Sequence, residues 1–206
     1  MKRDILGLVL CGGKSSRMGF DKGEIELEPG ISLLERQLRL LAPFCRSLAV
    51  GVGPEGRKER KLTASVVAVH DIEGMEGPMA GVIAALRLAR GKAVLAIACD
   101  MPFLQEGDLL LLLSRRNPER LASAFVASDG APDPMCAIYE ASALSELEQA
   151  AASGKLSLRR FLKGSEVELL QAPNPTIMAS VNDPKALLEA RVRISSELES
   201  RGSDPS

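Results

Sequence analysis

The densest run of reactive residue types lies near the start of the chain: Leu8-Val9-Leu10-Cys11-Gly12-Gly13-Lys14-Ser15-Ser16-Arg17-Met18-Gly19-Phe20-Asp21-Lys22. An apolar run breaks into a glycine turn and then into spaced cations. Gly12 and Gly13 allow close approach to a ligand where a Cβ would obstruct it, and successive backbone N–H groups there can hold phosphate oxygens. Lys14, Arg17 and Lys22 can reach back over the turn, a guanidinium gripping phosphate bidentately and an ammonium acting as a mobile point charge. The chemistry indicated is polyphosphate binding. It is not a Walker A loop, because the glycine required five residues before Gly13 is replaced by Leu8. Nor is it a G-x-G-x-x-G dinucleotide fingerprint, since the glycines stand at 12, 13 and 19.

Carboxylates come next. Asp100 follows the apolar run 93–98, and an aspartate at the mouth of a buried strand opposite a phosphate loop suits Mg²⁺, which takes one or two carboxylates with phosphate oxygens and water. Asp100-Met101-Pro102 also reads as a turn. Asp71 ends a second apolar run, and Asn182-Asp183-Pro184 is equally a polar contact site and a helix start. His70 has no partner at metal-ligand spacing beyond the adjacent Asp71.

These residues need elements to position them. Residues 5–11 read as a strand buried on both faces. From Ser32, a plausible N-cap, Leu33, Leu34, Leu38 and Leu41 recur at helical spacing, and Pro43 helps to close that helix. Residues 48–52 and 66–69 are short strands. Gly77-Pro78-Met79-Ala80-Gly81 ends a glycine-rich loop and opens a helix with Pro78 in its first turn, its apolar face formed by Met79, Val82, Ile83 and Leu86, and Gly91 closing it. Residues 93–98 form a central parallel strand, 108–115 a helix, 122–127 a fifth strand, and 135–139 a sixth strand, antiparallel at the sheet edge. Helices at 141–151 and 157–163, short strands at 166–170 and 177–181, and a last helix from Pro184 complete the chain. The alternation is that of a doubly wound α/β sheet, in which ligands bind beyond the carboxyl ends of the strands. Gly12, Gly13, Asp71 and Asp100 all fall at such ends.

Composition narrows the field. With 206 residues and 46% apolar content a single domain with a sizeable core is expected, spanning 1–194, with a polar, frayed tail over 195–206. Net charge is −1, so no basic field argues for nucleic acid or a membrane surface, and the charge run at 57–61 reads as a solvated face. Cys11, Cys45, Cys99 and Cys136 form no C-x-x-C pair, which speaks against a zinc site or disulfide framework and fits buried thiols in a reduced, cytoplasmic setting. The N-terminal apolar stretch is too short for a signal-peptide core, and nothing is long enough to span a membrane.

At the residues quoted above, the chain resembles the MobA-like nucleotidyltransferases, most closely the molybdenum cofactor guanylyltransferases. The resemblance runs through Leu10-Cys11-Gly12-Gly13-x-Ser15-x-Arg17-Met18-Gly19-x-Asp21-Lys22, Gly77-Pro78-Met79-Ala80-Gly81, Cys99-Asp100-Met101-Pro102-Phe103 and Asn182-Asp183-Pro184, and covers about residues 4 to 190. It implies a three-layer αβα, mostly parallel doubly wound sheet, the Rossmann-like nucleotidyltransferase fold. It also implies transfer of GMP from GTP to a terminal phosphate of molybdopterin, releasing pyrophosphate. Arg17, Lys22 and Asp100 would be catalytic, with Asp100 holding Mg²⁺. Leu10, Cys11, Gly12, Gly13, Lys22, Gly51, Asp71, Gly77, Pro78, Gly81, Asp100 and Asn182 would contact nucleotide or cofactor. Two glycines in the first turn favour GTP over CTP, whereas Gly51 stands where relatives often carry an asparagine that contacts guanine. Molybdoenzyme-maturation proteins are further candidate partners. The alternatives are a cytidylyltransferase on the same cofactor, a nucleotidyltransferase for another phospho-alcohol or sugar phosphate, and a non-catalytic GTP or cofactor carrier.

Overall fold

Apolar runs alternate with helix-period segments along this chain, and they assemble into a seven-stranded sheet with helices on both faces. The computed structural model describes residues 3–11, 22–53, 65–72, 74, 75 and 77–202. The main strands are β1 (Arg3–Leu10), β4 (Cys45–Gly53), β5 (Val66–His70), β6 (Val94–Ala98), β7 (Ala122–Val126), β8 (Pro132–Tyr139) and β9 (Val167–Gln171). Between them lie α1 (Leu33–Leu41), α2 (Pro78–Ala89), α3 (Glu106–Ser114), α4 (Ala143–Ala152), α5 (Leu158–Lys163) and α6 (Pro184–Gly202). A separate antiparallel ribbon joins β2 (Glu26–Glu28) to β3 (Ile31–Ser32). The sheet order is β5-β4-β1-β6-β8-β7-β9. Within this sheet every ladder is parallel except the two made by β8, with β6 and with β7.

Strands covered on both faces need no polar alternation, and the centre of the sheet obeys that rule. Residues 5–10 of β1 and all of β6 are buried. Ile5 and Val9 of β1, with Leu95 and Ile97 of β6, pack towards α1 and α3. Leu6, Leu8 and Leu10 face α2 on the other side, together with the small residues Ala49, Ala96, Ala124 and Ala137. That alanine-rich face lets α2 approach closely. At Gly81 an added Cβ would stand 2.9 Å from Leu10 Cδ2, so a larger residue at that crossing would have to displace the end of the Leu10 side chain.

Local signals set the helix ends. The Ser32 hydroxyl accepts from the Glu35 amide at 3.2 Å and starts α1. Pro78 occupies the first turn of α2, which ends with Arg90 in the left-handed region at φ 48°, followed by Gly91 at φ 84°. A reciprocal capping box between Gln105 and Asp108 opens α3.

Three expectations are corrected. β8 is antiparallel as expected but lies inside the sheet, hydrogen-bonded on both sides, because the β7–β8 hairpin folds back into the gap left beside β6. The edges are β5 and β9 instead. Residues 177–181 form no strand: a 3-10 turn, Pro175–Met178, precedes an extended link, since Asn174 caps the turn through Thr176 N at 3.0 Å. Finally, α6 continues to Gly202, past Ser195 where polar composition suggested a frayed tail. Its inner residues Ala190 and Ile194 pack with Ile25, Leu27, Leu33 and Val181 in a small separate cluster. The β2–β3 ribbon, whose turn falls at Pro29-Gly30 with Gly30 at φ 75°, supplies part of that cluster.

Candidate active site

The carboxyl ends of β1, β4, β5 and β6 meet along one rim, and backbone hydrogen bonds continue the ladder just beyond β1, β5 and β6. Cys11 N donates to Gly51 O at 3.1 Å, Cys99 N to Leu10 O at 3.1 Å, and Asp71 N to Gly53 O at 3.0 Å. Leu10 and Cys11 are buried, so this part of the rim is built from backbone. At Gly51 an added Cβ would meet Leu10 Cδ2 at 3.5 Å and Val9 O at 3.8 Å, both ordinary contacts, so packing does not require glycine there.

Asp71 is half-buried, and its Oδ2 accepts from Gly77 N at 3.2 Å. That bond ties the end of β5 to the start of α2, where the helix dipole favours negative charge. Gly77 adopts φ 100° and ψ −172°, a backbone region essentially confined to glycine. Gly77 and Pro78 therefore form the entry to α2 on the rim for backbone reasons, and Gly81 follows where the helix packs on Leu10.

Asp100 lies just past β6 and is half-buried. Its carbonyl accepts from Val181 N at 2.9 Å, which brings Asn182 beside it although 82 positions separate the two in sequence. The Asn182 side chain donates to Ser180 Oγ, and Asp183 Oδ1 accepts from Ala186 N at 2.9 Å, so Asp183 caps α6. Gly12, Gly13 and Arg17 lie outside the described residues, and Lys22 is described only as the first residue of a 3-10 turn, Lys22–Glu24.

Asp133 carried no signature in the sequence, where it sits in the turn-like run Ala131-Pro132-Asp133-Pro134. The β6–β8 ladder ends with Ile97 opposite Cys136, and just beyond it Asp133 comes close enough to Asp100 to feel its charge. Asp133 Oδ1 accepts from Met135 N at 2.7 Å. Burial raises its pKa above the ordinary value, the Met135 hydrogen bond and Arg159 oppose the rise, and the charge of Asp100 adds to it. The Arg159 guanidinium itself donates to Asp129 Oδ1. Only the antiparallel placement of β8 could have revealed Asp133.

Among the described residues, no group of three or more His, Cys, Asp or Glu side chains could enclose a metal. One or two carboxylates fit an ion that keeps water and phosphate oxygens as its other ligands, as Mg²⁺ does. A cleft of about 520 Å³ opens elsewhere, between α1, the β2–β3 ribbon and the start of α3; its walls include Glu28, Arg36, Arg39 and Gln105 and none of the rim residues.

Comparison with known proteins matches the description "MobA-like NTP transferase domain" to residues 7–172. The chain belongs to the MobA-like NTP transferase family. A molybdenum cofactor guanylyltransferase from Pseudomonas putida is 32% identical over 182 residues, covering 87% of this chain and 94% of that protein. A molybdenum cofactor biosynthesis bifunctional protein from Synechocystis sp. is 29% identical over 88% of this chain, which spans about half (52%) of that longer protein. The solved structure of molybdopterin-guanine dinucleotide biosynthesis protein A from Archaeoglobus fulgidus superposes with a TM-score of 0.78 at 26% identity, covering 93% of this chain and all of that one. As a member of the MobA-like family this protein is an enzyme, a nucleotidyltransferase on a Rossmann-like fold. Relatives named as transferases speak against the carrier alternative.

Proposed function

We propose that this protein transfers GMP from GTP to a terminal phosphate of molybdopterin. An oxygen of that phosphate attacks the α-phosphorus, the bond to the β-phosphate oxygen breaks, and pyrophosphate leaves with the electron pair. The product is the guanine dinucleotide form of the cofactor, and no covalent enzyme intermediate is required. The observation that carries this reading is the adjacency of β1 and β6, joined through Cys99 N to Leu10 O at 3.1 Å, which sets Asp100 beside the strand that runs into Gly12-Gly13.

The chain's own groups divide the work. The Gly12-Gly13 turn and the entry to α2 hold the nucleotide, and Arg17 and Lys22 neutralise phosphate charge where it builds up in the transition state. Asp100 holds Mg²⁺, whose contribution when bound is to neutralise charge on the phosphate oxygens. Asn182 and Asp133 come near Asp100 from the C-terminal half of the chain, the half to which this reading gives the acceptor. Arg159 adds positive charge there. The four cysteines are buried thiols outside any disulfide, which supports a reducing, cytoplasmic setting, and residues 1–194 are read as one catalytic domain. Proteins that mature molybdoenzymes would receive the product.

The test is pyrophosphate release by purified protein with metal-loaded molybdopterin and Mg²⁺, using GTP, CTP, ATP and UTP in parallel. Release with GTP alone, lost in Asp100→Asn, is the expected result. Gly51 favours one second reading, a cytidylyltransferase, because the asparagine expected to contact guanine is absent although a side chain would fit. Release with CTP in place of GTP would establish it.

A further inference from the structure

The loop that carries Asp100 is held carbonyl by carbonyl. Val181 N donates to Asp100 O at 2.9 Å, Gln37 Nε2 to Met101 O at 2.6 Å, and Arg36 Nε to Pro102 O at 3.1 Å. The two side-chain donors are neighbours on α1, more than sixty residues away in sequence. Arg36 is oriented in turn by Glu28, whose Oε1 accepts from Arg36 Nη1 at 3.0 Å.

Gln37 is the more telling of the pair. It is fully buried on a helix face otherwise formed by Leu33, Leu34 and Leu41. Its Oε1 has no hydrogen-bond partner, and among the described residues no other buried side-chain nitrogen or oxygen is left so. Burying half an amide unsatisfied is unfavourable, and an apolar side chain of the same length would avoid it. What the glutamine supplies is the donor to Met101.

The same helix is fastened to the segment leaving the glycine turn, because Leu33 N donates to Ile25 O at 2.8 Å, just after the Lys22–Glu24 turn. α1 thus touches both sides of the proposed site. Fixing three consecutive peptide planes removes the backbone freedom through which the carboxylate could swing away from that turn.

We propose that Arg36 and Gln37 are positioning residues that set the Asp100 carboxylate for the divalent ion, acting through the Pro102 and Met101 carbonyls. This rests on the reading of Asp100 as the residue that holds the ion. Groups that orient a metal ligand are worth roughly ten- to a hundredfold in metal affinity.

The experiment is a Mn²⁺ titration followed by electron paramagnetic resonance, on the protein–GTP complex without acceptor, for wild type, Gln37→Met, Arg36→Met, Arg36→Lys and Asp100→Asn. Gln37→Met is expected to weaken Mn²⁺ binding about tenfold, to leave GTP affinity in EDTA unchanged, and to regain turnover in excess Mg²⁺. Arg36→Met should weaken binding as well, and Arg36→Lys, which keeps a donor and its charge, should recover most of it. Affinities within twofold of wild type in both methionine variants would overturn the proposal. Should Gln37→Met not fold, the Arg36→Met and Arg36→Lys pair decides alone. If wild type binds Mn²⁺ no better than Asp100→Asn, the reading of Asp100 fails and takes this inference with it. If wild type binds better while the methionine variants match it, only the positioning role fails.

Discussion

β8 carries a carboxylate near each end, and the fold treats the two in opposite ways. Glu140, just past Tyr139 and buried, accepts two hydrogen bonds from Arg116, Nε and Nη2 each at 2.6 Å to a separate oxygen. These bonds outweigh burial and raise the Arg116 pKa further. Asp133, at the rim end, accepts from the Met135 backbone, lies within reach of the Asp100 charge, and has its pKa raised by burial. A bidentate buried pair anchors structure, whereas a carboxylate held near another carboxylate is poorly stabilised until a cation arrives. One end of the strand therefore serves the fold, and the other is where a bound ion would relieve repulsion.

Arg116→Met should produce the largest change. It leaves Glu140 buried without its cation, at a cost of about 3–5 kcal/mol, read as a lower midpoint in urea unfolding. Turnover per folded molecule should stay near wild type. The double variant Arg116→Met/Glu140→Leu should regain most of the stability, and failure to do so would mean that the pair contributes more than mutual neutralisation.

Asp100→Asn is the counterpart at the rim. Turnover should fall by roughly a hundredfold or more, about 2.7–4 kcal/mol of transition-state stabilisation, while the metal-free melting temperature is unchanged or higher. A melting temperature several degrees lower, with turnover kept, would exchange the two roles.

Gly77→Ala strains the entry to α2 by about 1–3 kcal/mol and should raise KM for the nucleotide more than it lowers kcat. Equal loss in both would argue that Gly77 matters to the fold alone.

The smallest effect is expected at Asp133, and it depends on pH. Its folded-state pKa is raised, so its favourable contribution is present below the unfolded value, about 3.9, and is lost as pH rises through the folded value. In EDTA, Asp133→Asn should match wild type near pH 3.5 and be slightly more stable near pH 7, read from paired thermal melts. A variant less stable at pH 7 would show that Asp133 is well stabilised as a carboxylate and would remove the contrast with Glu140.

Much of the architecture was legible in local signals. Residues 5–11 and 93–98 read as strands because burial on both faces leaves uninterrupted apolar runs, and Ser32 and Pro78 marked helix starts through the hydrogen-bonding limits of their own side chains and backbone. Asp71 and Asp100 could be set at strand ends from the same pattern. The interior position of β8 was not legible, since an apolar strand of that length reads alike at an edge or at the centre, and only the partners it acquires tell the two apart. The segment 177–181 misled in the same way: Ile177 and Val181 are apolar because they are buried, one under a 3-10 turn and one against the Asp100 loop, without either belonging to a strand.

By itself, then, the sequence determined the alternation of strands and helices, the paired glycines, the spaced cations and the aspartates at strand ends, all properties of residues within a few positions of one another. Only tertiary structure decided that Asp133 would come near Asp100, that the segment carrying Asn182 would bond to its carbonyl, and that Arg36 and Gln37 would grip its loop. Those relations join residues tens of positions apart, and they arise from strand order and helix docking, which minimise exposed apolar area and unpaired backbone over the whole chain at once.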